Sequence, residues 1–240
     1  MDRSDGRLAN TLRPLSCELS CLQNADGSCL WKSGATQVLA AIHGPIAPRI
    51  AQHEGETAAV SVVVKSGVDN LVTGEWEGFL NHMLSATICL DEYPRCTIQV
   101  VLQIISADGS VLGAALHAAV SALMDAGVAM NALPVAVTCL LPRPENIVEP
   151  QAATTTLKKI HLDPSADEEN ADGAGLVVLV SDSTNPLKIL GCQSAGVRMD
   201  TDTLMQCCSV SEKANPAVTA FWRLAMEQKA TREAKTLWTS

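Results

Sequence analysis

The chain has 240 residues, of which 47% are hydrophobic and 18% charged, with a formal net charge of −9. That balance suits a globular core and argues against overall disorder. The acidity argues against a freestanding nucleic-acid binder, whose affinity comes largely from neutralising phosphates, but not against membership of an assembly in which other chains supply the basic surface.

In chain order, residues 1–12 are expected to be a frayed polar arm carrying Arg3 and Arg7. A strand is predicted over Leu15–Leu22. Asn24-Ala25-Asp26-Gly27-Ser28 turns the chain back, since Asp-Gly suits positive φ, and Cys29–Lys32 returns. Thr36–His43 is β-branched and apolar enough for a buried strand that Gly44-Pro45 ends. Ala58–Lys65 is a further strand by β-propensity. Glu75–Leu90 places Trp76, Phe79, Leu80, Met83 and Leu84 at helical spacing, with acids in the first turn.

The centre of the chain is Thr97–Leu141. A strand (Thr97–Ser106) leads through Ala107-Asp108-Gly109-Ser110 into an apolar helix (Val111–Ala126), stopped by Gly127 and followed by a strand (Leu133–Leu141). The helix is apolar nearly all round, so it belongs between two layers. Burying Leu112, Leu116, Val120, Leu123 and Met124 alone contributes roughly 7–15 kcal/mol as an upper bound. If the two flanking strands are parallel neighbours, the crossover should be right-handed.

Pro142-Arg143-Pro144 breaks the chain. Ile147-Val148 is a candidate strand tip ending at Glu149, and Ala152–Leu162 alternates weakly as a strand. Residues 163–174 hold five acids and read as an exposed, mobile loop. Gly175–Ser181 and Leu187–Ser194 are two more strands. A final helix starts at Asp200 or Thr201, with a kink or break expected at Pro216 and a solvated basic face at Lys229, Arg232 and Lys235. The fold class is α+β, mixed sheets packed on buried helices, within one domain spanning residues 1–240.

Little conventional chemistry stands out. The nine cysteines, an odd number, follow a polar N-terminus and suggest reduced thiols in an intracellular protein. Cys17/Cys21 and Cys207/Cys208 lack the second pair that a zinc site needs, so no metal or other cofactor is expected. The run nearest to a membrane span, Val111–Met124, is too short and is flanked by Asp108 and Asp125. Gly-x-Ser-x-Gly, Walker and dinucleotide patterns are absent, and the histidines form no ligand pairs; His117, on the apolar helix, reads as a core residue with a satisfied hydrogen bond. Asp108-Gly109-Ser110 is a candidate phosphate cradle, because a helix N-terminus offers free N–H groups and a positive dipole end. A clamp normally adds an Arg, whereas Val111 and Leu112 come next. Glu149 is a lone carboxylate.

Asp5-Gly6-Arg7, Leu12-Arg13-Pro14, Asp26-Gly27-Ser28, Gly34-x-Thr36-x-Val38-Leu39, Ala107-Asp108-Gly109-Ser110 and Asp125-Ala126-Gly127-Val128, in that order and spacing, resemble the ribonuclease PH family. The resemblance is specific over residues 3–140 and looser beyond, and is nearest to non-catalytic ring subunits of the eukaryotic RNA exosome. It implies side-by-side pairing with another family member in a six-membered ring, cap subunits on that ring, and RNA passing through its channel. It implies no membrane, and a nuclear (including nucleolar) and cytoplasmic home. Active members degrade RNA from its 3′ end with inorganic phosphate, using a Gly-Gly-Thr/Ser-Arg loop, an Arg-rich helix before the central strand, and two acids six apart after the second central strand.

Matched residue by residue, the loop here is Gly109-Ser110-Val111-Leu112, and Glu75–Leu90 has neither Arg nor Lys. The acids fall at Glu149 and Thr155, leaving Glu149 as a remnant. Losing two Arg clamps weakens phosphate binding by roughly 3–6 kcal/mol. The resemblance therefore implies a structural subunit, with Lys65, Arg95 and Arg143 as candidates for an RNA path. Two alternatives are an active nuclease, phosphorolytic or metal-dependent through Glu149, and a freestanding homodimeric nucleic-acid-binding protein.

Overall fold

In the computed structural model, residues 3, 6–47, 56–68, 74–141, 160–171, 174–196 and 200–239 are described. Strands β1 (Leu15–Leu19), β2 (Gly27–Ser33) and β3 (Thr36–Ile46) form an antiparallel meander. Strand β4 (Ala59–Ser66), helix α1 (Gly74–Thr87), a 3₁₀ turn at Leu90–Glu92 and strand β5 (Thr97–Ser106) follow. Helix α2 (Val111–Ala126) leads to β6 (Pro134–Leu141), β7 (His161–Leu162), the one-turn helix α3 (Ala166–Glu169), β8 (Gly175–Asp182), β9 (Ile189–Ala195) and helix α4 (Thr201–Thr239).

The strands form two sheets, a five-stranded one in the order β1-β2-β3-β5-β4 and a four-stranded one in the order β7-β6-β8-β9. The parallel pair is β4 with β5, bridged by α1. Strands β5 and β6 lie in different sheets, so the crossover considered for the central unit is not made across α2. Instead α2 packs on β2, β3 and β5 of one sheet and β6 of the other. Every residue from Val111 to Leu123 is buried, as the all-round apolar pattern requires of a helix held between layers. Every residue of β6 is buried too, which explains its unbroken apolar run.

Two glycines fix the C-terminal end of α2. Gly127, at φ +70°, ends the helix, and Val128 N–H reaches back to Leu123 O at 3.1 Å, a Schellman closure. Gly27 lets the β2 backbone lie against α2: a Cβ there would stand 2.4 Å from Ala122 O and from Ala126 N.

Three expectations need correcting. The N-terminal segment is not frayed where it is described, because Arg3 is buried and hydrogen-bonded to Glu168. The acidic segment is not simply an exposed loop: Asp163 is buried, and Ala166–Glu169 forms a helical turn. Of the kink or break expected at Pro216, the break does not occur: helix α4 runs continuously through it. The missing N–H costs one hydrogen bond, while Ala214, Asn215, Val218 and Trp222 on either side are buried in the core, which holds the helix together. The candidate strand at Ile147-Val148 and all but the end of Ala152–Leu162 lie outside the described residues.

Candidate functional site

The turn between β5 and α2 is tight. Gly109 adopts φ +76°, and a Cβ on it would lie 2.3 Å from Pro164 O, so positive φ and close approach both demand glycine. Ser110, at φ 50°, caps α2 without using its side chain on the helix; its hydroxyl donates to Pro164 O at 3.3 Å. Thr36 on β3 braces the turn, its hydroxyl donating to Gly109 O (2.8 Å) and accepting from Asp108 N–H (3.0 Å). The Val111 and Leu112 side chains are buried among apolar neighbours and offer no donor.

Around this turn the fold gathers charges from distant parts of the sequence. Arg13, just before β1, is 6% exposed. Its guanidinium donates to Asp108 O, to Gly109 O at 3.0 Å and to Asp163 Oδ1 at 2.7 Å. The other Asp163 oxygen accepts from Arg13 N–H (2.9 Å) and the Ser33 hydroxyl (3.2 Å). Burial pushes the Asp163 carboxyl up, but the Arg13 guanidinium and these donors outweigh it and hold it below the ordinary carboxylate range. Glu169 closes the front of the turn, its Oε1 accepting Ser110 N–H at 2.6 Å. Burial raises the Glu169 carboxyl; the Ser110 N–H and Arg13 oppose that rise, and Asp163 and Asp108 add to it. Behind this layer, Arg3 grips Glu168 (Nε to Oε1, 3.0 Å) and donates to Leu162 O, which docks the arm onto the acidic segment.

The α2 N-terminus is therefore built as an anion position, and the anion it holds is this chain's own Glu169 carboxylate. Asp163 and Glu169 are six apart, the spacing that the family resemblance assigns to its acid pair. Among the described residues, the acids with that spacing at the turn are Asp163 and Glu169; Glu149 and Thr155 lie outside the described residues. The signal for the Asp163/Glu169 pair was Leu162-Asp163 entering the segment before β8, which the density of acids disguised as a loop.

Other sequence candidates fare differently. Glu149 and Arg143 lie outside the described residues. Lys65 is exposed on β4, opposite Gln103, near the end of β5 that leads into the turn. Arg95 is exposed before the other end of β5, at φ +57°. The two are separated by roughly 20 Å of strand, so they do not form one basic patch. His117 is a core residue: its Nε2 accepts Ala136 N–H at 3.0 Å and its ring packs on Trp31 and Trp222. Burial drives its pKa down to about 4. Lys229 is not merely solvated, since its ammonium meets Asp125 at 2.7 Å. Among the described residues, no group of three or more His, Cys, Asp or Glu side chains is placed to hold a metal ion, and no helix is long and apolar enough to cross a membrane.

A five-stranded mixed sheet and a four-stranded antiparallel sheet closed over one apolar helix, with an acidic turn against the start of that helix, define a ribonuclease PH-like protein. The family model described as the 3′ exoribonuclease family, domain 1, matches residues 11–129. An Arabidopsis thaliana protein named exosome complex exonuclease RRP46 homolog is 31% identical over 97% of this chain and 98% of its own length. The chain belongs to this 3′ exoribonuclease, or ribonuclease PH, family. A Pyrobaculum arsenaticum exosome component, Rrp41, is 35% identical over 57% of this chain and 60% of its own. Among solved structures, rice Rrp46 superposes with a TM-score of 0.82 at 29% identity, covering 94% of this chain and 100% of that one. A chain of the Archaeoglobus fulgidus exosome with RNA bound shares the fold, with a TM-score of 0.72 at 19% identity over 92% of each chain.

Proposed function

We propose that the chain is a ring subunit of the RNA exosome. It pairs with other ribonuclease PH-like subunits in a six-membered ring that carries cap subunits and passes RNA through its channel. In this reading it supports 3′-to-5′ RNA processing and degradation without being a phosphorolytic centre, and it works in the nucleus, nucleolus included, and the cytoplasm. The Arabidopsis relative, matched over nearly its full length, and a Schizosaccharomyces pombe protein, matched over 50% of this chain, both carry exosome names, which supports the assembly role.

The observation that carries the non-catalytic part is the occupied turn. Phosphate would need the Ser110 N–H and a free guanidinium. Glu169 already holds the first, and Asp163 with two backbone carbonyls holds Arg13. The Val111 and Leu112 side chains supply no cation in its place, and α1 has neither Arg nor Lys.

The test is incubation of the purified chain with 3′-labelled RNA, with and without inorganic phosphate. No nucleoside diphosphate should appear, and phosphate-dependent release would overturn the non-catalytic reading. The Asp163/Glu169 pair favours one second reading, a metal-dependent hydrolytic nuclease. A parallel arm with magnesium or manganese and no phosphate would then yield nucleoside monophosphates. Affinity purification from native extract should recover other ring subunits; recovery of the chain alone, or only as a homodimer, would remove the assembly role.

A further inference from the structure

Two thiols on the first hairpin have no part in the site above. Cys17 on β1 and Cys29 on β2 lie diagonally across an antiparallel pair: Cys17 is opposite Trp31, and Cys29 is opposite Leu19. Residues two apart share a face, so both sulfurs point to the same side of the sheet. Their Sγ atoms are 3.4 Å apart. Cys29 is fully buried, while Cys17 is half-buried on the outermost strand of its sheet. Both also interact with the Ser121 hydroxyl on α2, which accepts the Trp222 indole N–H at 2.9 Å.

We propose that Cys17 and Cys29 are a redox modification site, in which a peroxide reaches Cys17 and Cys29 resolves it to an intramolecular disulfide. The thiolate is the reactive form, and access decides which thiol reacts first. Cys17 is the accessible member. The Cys29 thiol, hydrogen-bonded to it, favours its thiolate more than burial and the nearby Asp125 and Glu18 carboxylates oppose it, whereas the Cys29 thiol itself is pushed up.

In the first step the Cys17 thiolate attacks one oxygen of hydrogen peroxide. The S–O bond forms, the O–O bond breaks, and hydroxide leaves to take up a proton as water. In the second step the Cys29 sulfur attacks the Cys17 sulfenic sulfur. The S–S bond forms, the S–O bond breaks, and the departing hydroxide leaves as water with the Cys29 proton. Two thiols and one peroxide give one disulfide and two waters. A dithiol reverses the change.

The pair is distinguished from the other cysteines by having one reachable and one sheltered member. Cys139 and Cys207 also interact with each other, but both are fully buried. Cys21 and Cys192 are exposed. Oxidising the pair alters the surroundings of Trp31 and Trp222, which supplies a spectroscopic signal.

The test treats the folded full-length chain with a small excess of hydrogen peroxide, alkylates the remaining thiols under denaturing conditions and maps the peptides by mass. The expected first product has lost two of the nine thiols, carries a Cys17–Cys29 cross-link within one chain, shows altered tryptophan fluorescence, and is restored by dithiothreitol. Cys29→Ser should leave Cys17 as a sulfenic acid trapped by dimedone. If that variant does not fold, the wild-type peptide map decides alone. A first disulfide through Cys21, Cys192 or Cys139–Cys207, with Cys17 and Cys29 both alkylated, would overturn the assignment.

Discussion

The two ends of α2 are both anchored by carboxylates, and they are built differently. At the N-terminal end, Asp163 faces a guanidinium from more than a hundred residues away, and both side chains are almost fully buried, at 9% and 5% exposure. At the C-terminal end, the Asp125 side chain is 3% exposed, but besides its cation it has three neutral donor contacts: Ser20 N–H at 3.1 Å, the Ser20 hydroxyl at 2.7 Å and Ser28 N–H at 2.8 Å. Its one cation, Lys229, reaches water at 16% exposure. The first joint is a buried ion pair whose halves depend on each other. The second is an acid that remains largely satisfied without its cation. Polar groups at the N-terminal end, where the family resemblance sets phosphate chemistry, here spend their hydrogen bonds joining the arm, the first sheet, the turn and the acidic segment.

This contrast makes Arg13→Ala the most damaging substitution. It strands the Asp163 carboxylate and removes the donor to two turn carbonyls, so the expected loss is about 3–5 kcal/mol, read from urea unfolding. Adding Asp163→Asn should recover part of it, because the uncompensated charge is gone. A loss below about 1 kcal/mol for Arg13→Ala would mean that Asp163 does not depend on its partner, and the contrast would collapse.

The next effect lies in pH. His117, in the interior between the two joints, has its pKa lowered from 6.5 to about 4. The unfolded chain takes up a proton below pH 6.5 and the folded chain does not until about pH 4, so His117 stability is present above 6.5 and lost as pH falls through that window. The loss is about 3 kcal/mol in all. Glu169 acts with the opposite sign: its raised pKa means that its ionised form works against the folded state at neutral pH, and protonation relieves this as the pH drops. Asp163, Asp125 and Glu168, all depressed, contribute above their unfolded values and lose that contribution only as pH falls below them. Urea midpoints measured between pH 7 and 4 should fall, and His117→Gln should flatten the curve. An unchanged slope in that variant would assign the acid sensitivity to the carboxylates instead.

How much of this was legible in the sequence follows the range of the interactions. Strand Thr97–Ser106 and helix Val111–Ala126 fall where the apolar run, the Asp-Gly turn and the Gly127 stop predicted them, because those signals are local. The acidic segment misled for the complementary reason. Five acids in ten residues look solvated until Arg3 and Arg13, some 150 residues away, are seen to pair with Glu168 and Asp163. The same limit explains Lys229, whose partner Asp125 is about a hundred residues away. Family order and spacing carried the fold, but Asp163 beside the turn went unnoticed as a site residue because no local pattern sets it apart from the other acids of its segment.

Smaller effects sharpen the C-terminal half of the comparison. Asp125→Ala leaves two hairpin N–H groups without their acceptor, at a cost of about 2–3 kcal/mol. Lys229→Ala should cost less than about 1 kcal/mol, because Asp125 keeps Ser20 and Ser28 and the lysine sits near water. Burial works to lower the Lys229 pKa, but the Asp125 carboxylate outweighs it and raises the value. The lysine therefore contributes fully below its unfolded value and loses that contribution only as pH rises through the raised one. In urea unfolding at neutral pH, the ratio of the Lys229→Ala loss to the Arg13→Ala loss measures the difference between the joints directly. Equal losses would show that Asp125 needs its cation as much as Asp163 does, and that the serine donors do not carry that end of the helix.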